Sequence, residues 1–170
     1  FGPALHDAIR EMAGTVILQV NPKVPYVLGD RCRIHISQAD MVVEAEEMLD
    51  EVQNLPIDHT LETLSRLIVE QIPDGATVQL GLGGVSNAVG FGLREKNDLG
   101  IHTEMFTDSM MELMKCGVIT NRRKRFLPGK SVASFALGTR ALYDYLDHNE
   151  SLYFAPYAFV NDPGVIAQND

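Results

Sequence analysis

Two short runs hold the residue types that chemistry needs. Gln79-Leu80-Gly81-Leu82-Gly83-Gly84-Val85 reads as a strand that enters a glycine-rich loop and continues into a helix. Gly100-Ile101-His102-Thr103-Glu104-Met105 reads as the next strand, with a carboxylate near its C-terminal end. In a right-handed parallel βαβ unit the ends of adjacent strands open on one crevice, where open α/β sheets bind their ligands. Glycine lets a ligand come close to the backbone, and the amides that begin a helix favour an anion or a developing oxyanion. A carboxylate beside such amides could attack a carbonyl while they stabilise the oxyanion that forms. The combination points to an enzyme site.

Each part has competing readings. A glycine pair between strand and helix also serves as a plain tight turn. A dinucleotide site would need Gly or Ala at position 86 to complete G-x-G-x-x-G/A, and Ser86 stands there, although Glu104 lies about 20 residues past the loop, where a ribose-binding acid would sit. No Gly-Lys-Ser/Thr follows the loop, so a Walker-type phosphate site is excluded. Glu104 itself reads as a nucleophile, a general base or a capping acid. In a strand His102 shares its face, and His102 reads as a packed or hydrogen-bonded neighbour. No second His or Cys stands at ligand spacing, so no metal site is expected. Arg122-Arg123-Lys124-Arg125 reads as a solvated turn, while Met110, Met111 and Met114, like Tyr143, Tyr145 and Leu146, read as packed helix faces.

These residues must be positioned by the elements around them. Apolar spacing predicts a helix over Pro3–Ala13, a strand over Thr15–Val20 and a second over Arg33–Ile36. An acidic stretch from Glu44 to Glu51 and the segment Asn54–Asp58 then read as a boundary. Thr60 is the expected N-cap of a helix whose apolar face is Leu61, Leu64, Leu67, Ile68 and Ile72. Pro73-Asp74-Gly75 turns into strand Ala76–Leu80, followed by helix Val85–Leu93, strand Ile101–Met105 and a helix capped by Asp108 that stops at Gly117. Strand Ser131–Leu137, a helix from Thr139 to Leu146 and strand Leu152–Phe159 complete the pattern. Such alternation predicts an α/β fold, a mainly parallel sheet with helices on both faces.

The 170 residues are 45% apolar and 22% charged, which suits a globular core. A net charge of -9 argues against nucleic acid or an anionic membrane as partner, and no apolar run reaches membrane-spanning length. Cys32 and Cys116, far apart and outside any C-x-x-C pattern, read as buried reduced thiols.

Three runs resemble the acetyl-CoA hydrolase/transferase family: Leu80-Gly81-Leu82-Gly83-Gly84, Leu99-Gly100-Ile101-His102-Thr103-Glu104-Met105 and Lys115-Cys116-Gly117-Val118-Ile119-Thr120-Asn121. The resemblance extends through Leu137-Gly138-Thr139-Arg140 and Val160-Asn161-Asp162-Pro163, and upstream to Val20-Asn21, Gly29-Asp30 and Ile34-His35-Ile36-Ser37. It implies a NagB/RpiA/CoA-transferase-like fold and an incomplete fragment of a longer two-domain protein. Residues 1–53 would be the C-terminal tail of the N-terminal domain and residues 54–170 the first half of the C-terminal domain. It implies that Glu104 is the nucleophile and that Gly81, Leu82, Gly83, Gly84 and Val85 contact coenzyme A. It also implies CoA transfer from an acyl-CoA to a short-chain carboxylate through a glutamyl-CoA thioester. Acyl-CoA hydrolysis, or a non-catalytic CoA- or nucleotide-binding module, are the alternatives. The expected partners are an acyl-CoA and a small carboxylate, with coenzyme A thioester as substrate, no permanently bound cofactor, a cytoplasmic location and a homodimer when full length. A second glycine-rich segment of the form G-x-G-G-Q-x-D-F, which completes the family's site, does not occur in these residues.

Overall fold

The computed structural model describes residues 2–53, 56–81 and 83–169. Its framework is set by parallel pairing, and every strand pair among the described residues is parallel. β1 (Ile17–Val20) pairs with β2 (Met41–Glu44). In three further two-stranded sheets β3 (Thr77–Val78) pairs with β4 (Gly100–Ile101), β5 (Met105–Phe106) with β7 (Phe135–Ala136), and β6 (Ser131–Ala133) with β8 (Leu152–Phe154). A bridge between His102, just after β4, and Val132 of β6 joins two of these pairs, and a bridge from Gly29 to Phe154 adds an upstream segment beside β8. The helices that connect them are α2 (His59–Glu70), α3 (Gly84–Gly92), α4 (Asp108–Lys115) and α5 (Arg140–Leu146). α1 (His6–Met12) precedes them, and α6 (Tyr157–Val160) and α7 (Pro163–Ile166) follow. The expected alternation and parallel pairing are present.

Two expected strands each come as a pair of shorter ones. The run Ile101–Met105 breaks after Ile101: β4 lies against β3, whereas β5 lies against β7. Ser131–Leu137 breaks at Ser134 in the same way, into β6 and β7. The breaks are in register, because the Glu104 carbonyl accepts from both Ser134 N (2.9 Å) and Phe135 N (3.1 Å). One carbonyl facing two amides cannot continue a regular ladder, so both strands bend there.

Other boundaries move for local reasons. Arg33–Ile36 is not a strand. His35 caps a 3-10 turn over Ile36–Gln38, its ring accepting from Ser37 N, and the partner of β1 is Met41–Glu44, which ends where the expected acidic boundary begins. The strand expected to run to Phe159 ends at Phe154, because Pro156 starts α6 and has no N–H to give a ladder. Asp58, not Thr60, caps α2, accepting from Leu61 N at 2.9 Å. On that helix Ser65 and Val69 are buried, while Leu64, Leu67 and Ile68 remain exposed. Ser65 donates to Ala88 O of α3, and a Cβ at Gly92 would sit 2.4 Å from its hydroxyl, so close backbone approach selects the small polar face. Thr107 rather than Asp108 occupies the N-cap of α4, and Gly117, at φ +81°, follows its end.

The core gathers Leu93, Leu99, Ile101, Phe106, Met110, Leu113, Leu142, Tyr143 and Leu146. Met111 is buried with them and Met114 packs against the cluster, as helical spacing predicts. Both cysteines are free, but Cys32 is only half-buried and Cys116 is exposed. Cys116 follows α4 directly, just before the Gly117 turn, which faces solvent.

The basic cluster divides. Arg122 and Arg123 pair with Asp98 at the surface, but Lys124 is 3% exposed. Its Nζ donates to Ile101 O (2.8 Å) and Lys130 O (2.7 Å), tying the end of β4 to the loop before β6. Gly100 makes room for the lysine stem, since a Cβ there would lie 2.5 Å from Lys124 Cγ.

Two expectations follow. Asp58→Ala removes the side-chain cap of α2 and should lower stability by about 1 kcal/mol in a denaturant titration, with no change at a surface control such as Glu70→Ala. Burial pushes the Lys124 ammonium down to about 8. Between that value and the ordinary lysine range the unfolded chain holds a proton that the folded chain has released, so stability contributed by this group rises with pH. The stability of the native protein relative to Lys124→Met should therefore increase from pH 7 to pH 10; a difference that stays flat or falls contradicts the burial effect.

Candidate active site

Glu104 sits in the break between β4 and β5, where the chain leaves β3 and joins β7. Its backbone is fixed by the two amides from the opposite break and by its neighbour Thr103. The Thr103 hydroxyl lies 3.2 Å from both Leu80 O and Met105 O. Outside a regular ladder the side chain turns toward α6. There Oε2 accepts from Asn161 Nδ2 at 2.8 Å, and Oε1 accepts from the Tyr157 hydroxyl at 3.3 Å. Glu104 is half-buried, and no salt bridge involves it among the described residues. Two neutral donors orient the carboxylate without a cation to hold its charge. Desolvation, together with the Glu104 charge beside it, pushes the Tyr157 phenol above its ordinary value, which keeps it a donor.

Both donors come from α6 and the residue after it. Tyr157 N donates to Ala4 O, Asn161 N to Tyr157 O, and the Tyr157 ring meets Phe135 edge-on. At the far end of the turn the Val160 carbonyl accepts from His102 Nε2 at 2.8 Å. His102 is thus the buried, hydrogen-bonded neighbour its position on the strand predicts, and like Glu104 it reaches α6. Tyr157 and Asn161 are not singled out by residue spacing, because the segment reads as a strand continued to Phe159. The signals that point to them are Pro156, a stop for that strand, and the Val160-Asn161-Asp162-Pro163 run.

The glycine loop lies on the other side of Thr103. Gly83 is the N-cap of α3 at φ +118° and ψ 169°, a conformation that belongs to glycine. Gly81, Gly83 and Gly84 line a cavity of about 140 Å³ with Leu80, Met105 and Asp108. Leu82 lies outside the described residues, and Val85 is 41% exposed and does not line the cavity. Glu104 does not line it either; Met105, on the opposite face of the strand, does. Glu104 and the glycine loop are therefore neighbours through backbone, linked by the Thr103 hydroxyl at Leu80 O, one residue before the loop begins.

The charge of this cavity is set by Asp108. It is 5% exposed and its carboxylate accepts from Thr139 N (3.2 Å) and the Thr139 hydroxyl. Among the described residues, no Lys, Arg or His lines the cavity. Polar neutral groups therefore fit the space better than a phosphate does. Among the described residues, no group of three or more His, Cys, Asp or Glu is placed to hold a metal ion, and no helix is long and apolar enough to cross a membrane.

No protein-family model matches the chain. Curated proteins do. It is 42% identical over 164 residues to the succinyl-CoA:cyclohexane-1-carboxylate CoA transferase of Geobacter metallireducens, covering 96% of this chain and 37% of that protein. It is also 42% identical over 160 residues to the 4-hydroxybutyrate coenzyme A transferase of Clostridium kluyveri, covering 94% of this chain and 37% of that protein. Among solved structures, a 4-hydroxybutyrate CoA-transferase from Porphyromonas gingivalis superimposes with a TM-score of 0.92 at 36% identity, over 99% of this chain and 43% of the other. The chain thus spans well under half the length of these relatives. By sequence and by fold, this chain is a homologue of the CoA transferases.

Proposed function

We propose that this chain carries the nucleophile of an enzyme that moves coenzyme A from an acyl-CoA to a free carboxylate, and that the nucleophile is Glu104. The observation that carries the reading is a half-buried carboxylate, held at a strand break by two neutral donors, in a homologue of CoA transferases. In this reading the fold is of the NagB/RpiA/CoA-transferase type. Residues 1–53 close an N-terminal domain and residues 54–170 open the C-terminal one.

The chemistry follows from the carboxylate. A Glu104 oxygen attacks the thioester carbonyl, the C–S bond breaks, and CoA leaves as thiolate, giving an acyl–glutamyl anhydride. The thiolate attacks the glutamyl carbonyl of that anhydride and releases the first carboxylate, leaving a glutamyl-CoA thioester. An acceptor carboxylate attacks this thioester, expelling the thiolate, which then takes the new acyl group and frees Glu104. Each step exchanges groups of similar leaving ability, so one hard exchange becomes several easier ones. Asn161 and Tyr157 hold the carboxylate in one rotamer before attack, which removes orientational freedom from the barrier. The cavity at Gly81, Gly83 and Gly84, with a buried Asp108 and no cation, suits the amide-bearing pantetheine arm of CoA; the charged phosphates lie elsewhere.

In the full-length enzyme Glu104→Gln should lower CoA exchange by at least about 10³-fold with unchanged circular dichroism, because the amide cannot form the anhydride. A variant that keeps an appreciable fraction of the native rate contradicts the assignment. Its chain neighbours apart, a Cβ at Gly83 would meet no atom of the described residues within 4 Å, so the expected effect of Gly83→Ala on the fold comes through its φ of +118°. It should cost about 1–3 kcal/mol of stability and also raise the KM for acyl-CoA. A normal KM would mean that the loop is only a turn.

A further inference from the structure

His102 stands two residues before Glu104, and the two side chains reach the same turn of chain from the segment between β4 and β5. The turn is α6, four residues long, and a single helical turn does not hold itself. It is tied at its start by Tyr157 N on Ala4 O and at its end by His102 Nε2 on Val160 O. Asn161, which follows Val160, donates to Glu104. A ring of contacts thereby closes from His102 to Val160, Asn161 and Glu104, and back through Thr103.

The geometry fixes the state of the imidazole. A peptide carbonyl only accepts, so Nε2 must carry a proton. Nδ1 is buried and has no hydrogen-bond partner among the described residues, so a proton there would be stranded. The ring is 4% exposed and lies near Phe126, which in turn lies against Phe159 of α6. Burial disfavours the imidazolium more than the bond to Val160 O favours it, and the nearby Lys124 charge adds to the burial effect. His102 is a neutral Nε2–H donor. Its bare Nδ1 is shut in the core, and among the described residues the Glu104 carboxylate accepts from Asn161 and Tyr157 and not from the imidazole.

We infer that His102 is a positioning residue for the nucleophile: by holding the Val160 carbonyl it sets the turn that aims Asn161 and Tyr157 at Glu104. The inference rests on the nucleophilic role proposed for Glu104. Without the bond, Val160 O is left buried and unpaired, and α6 shifts to satisfy it. Displacement of the two donors by about 1 Å is enough to release the carboxylate from its attacking rotamer.

The test compares His102→Phe, which keeps a ring but loses the donor, with His102→Gln, whose amide nitrogen falls near the position of Nε2. In the full-length enzyme, His102→Phe should lower kcat about 10–100-fold with little change in KM for acyl-CoA, and His102→Gln should recover most of the loss. Glu104→Gln, assayed beside them, separates the two claims. If it exchanges CoA at the native rate, the nucleophile assignment fails and this inference with it. If it is inactive while His102→Phe keeps its kcat, only the positioning role is overturned. Should His102→Phe not fold, ¹⁵N spectroscopy of the native imidazole at pH 7 decides: a protonated Nε2 with bare Nδ1 supports the role, and the reverse tautomer or a charged ring overturns it.

Discussion

The arrangement depends on one backbone irregularity, the change of partner at Thr103-Glu104. Upstream, the chain is a strand against β3; downstream, it is a strand against β7. The Glu104 carbonyl satisfies two amides of the facing break, and the Thr103 hydroxyl spans to the Leu80 carbonyl, just beyond β3. A carboxylate in an unbroken, buried strand would be either pressed into a helix or lost in the core. At the break it faces the terminal turn of the sheet, where side-chain donors can meet it without a neutralising cation. Buried polar groups demand partners, and here the partners are the means of aiming the group.

The same break separates two environments. On one face lies the glycine-lined cavity, with Met105 and Asp108; on the other lies the Glu104 carboxylate with Asn161 and Tyr157. In the proposed reaction a substrate reaches both along the ends of the strands. This is the crevice that parallel sheets provide, but it is narrower in chemical character than a phosphate site. Asp108 is the buried acidic residue of its lining, so in the proposed function a long, amide-bearing chain is held there by polar neutral contacts and by backbone.

Much of this was legible in the sequence, because alternation of apolar runs and glycine or proline punctuation follows local physics. The order of strands and helices, the glycine turn into α3 and the carboxylate at a strand end are all of that kind. The misread elements depend on non-local partners. Nothing local distinguishes Arg33–Ile36 from Met41–Glu44 as the mate of β1; the bonds of Asp40 to Val16 decide it. Lys124 resembles its solvated neighbours until the carbonyls of Ile101 and Lys130 take it inside. Tyr157 and Asn161 lie more than fifty residues beyond Glu104, and only the folded sheet brings them to it. Leu64, Leu67 and Ile68 follow helical periodicity yet stay exposed, because close approach at Gly92 puts Ser65 inward instead.

The central claim is that Glu104 takes coenzyme A covalently, and the adduct itself is the most direct witness. Full-length protein is incubated with an acyl-CoA in the absence of acceptor, digested at low pH to protect thioesters, and its peptides are weighed. The account predicts an added CoA mass on the peptide that contains Ile101–Met105, localised to Glu104 by fragmentation and removed by adding a free carboxylate. CoA bound reversibly with every peptide at its unmodified mass, or an adduct on another residue, would contradict it.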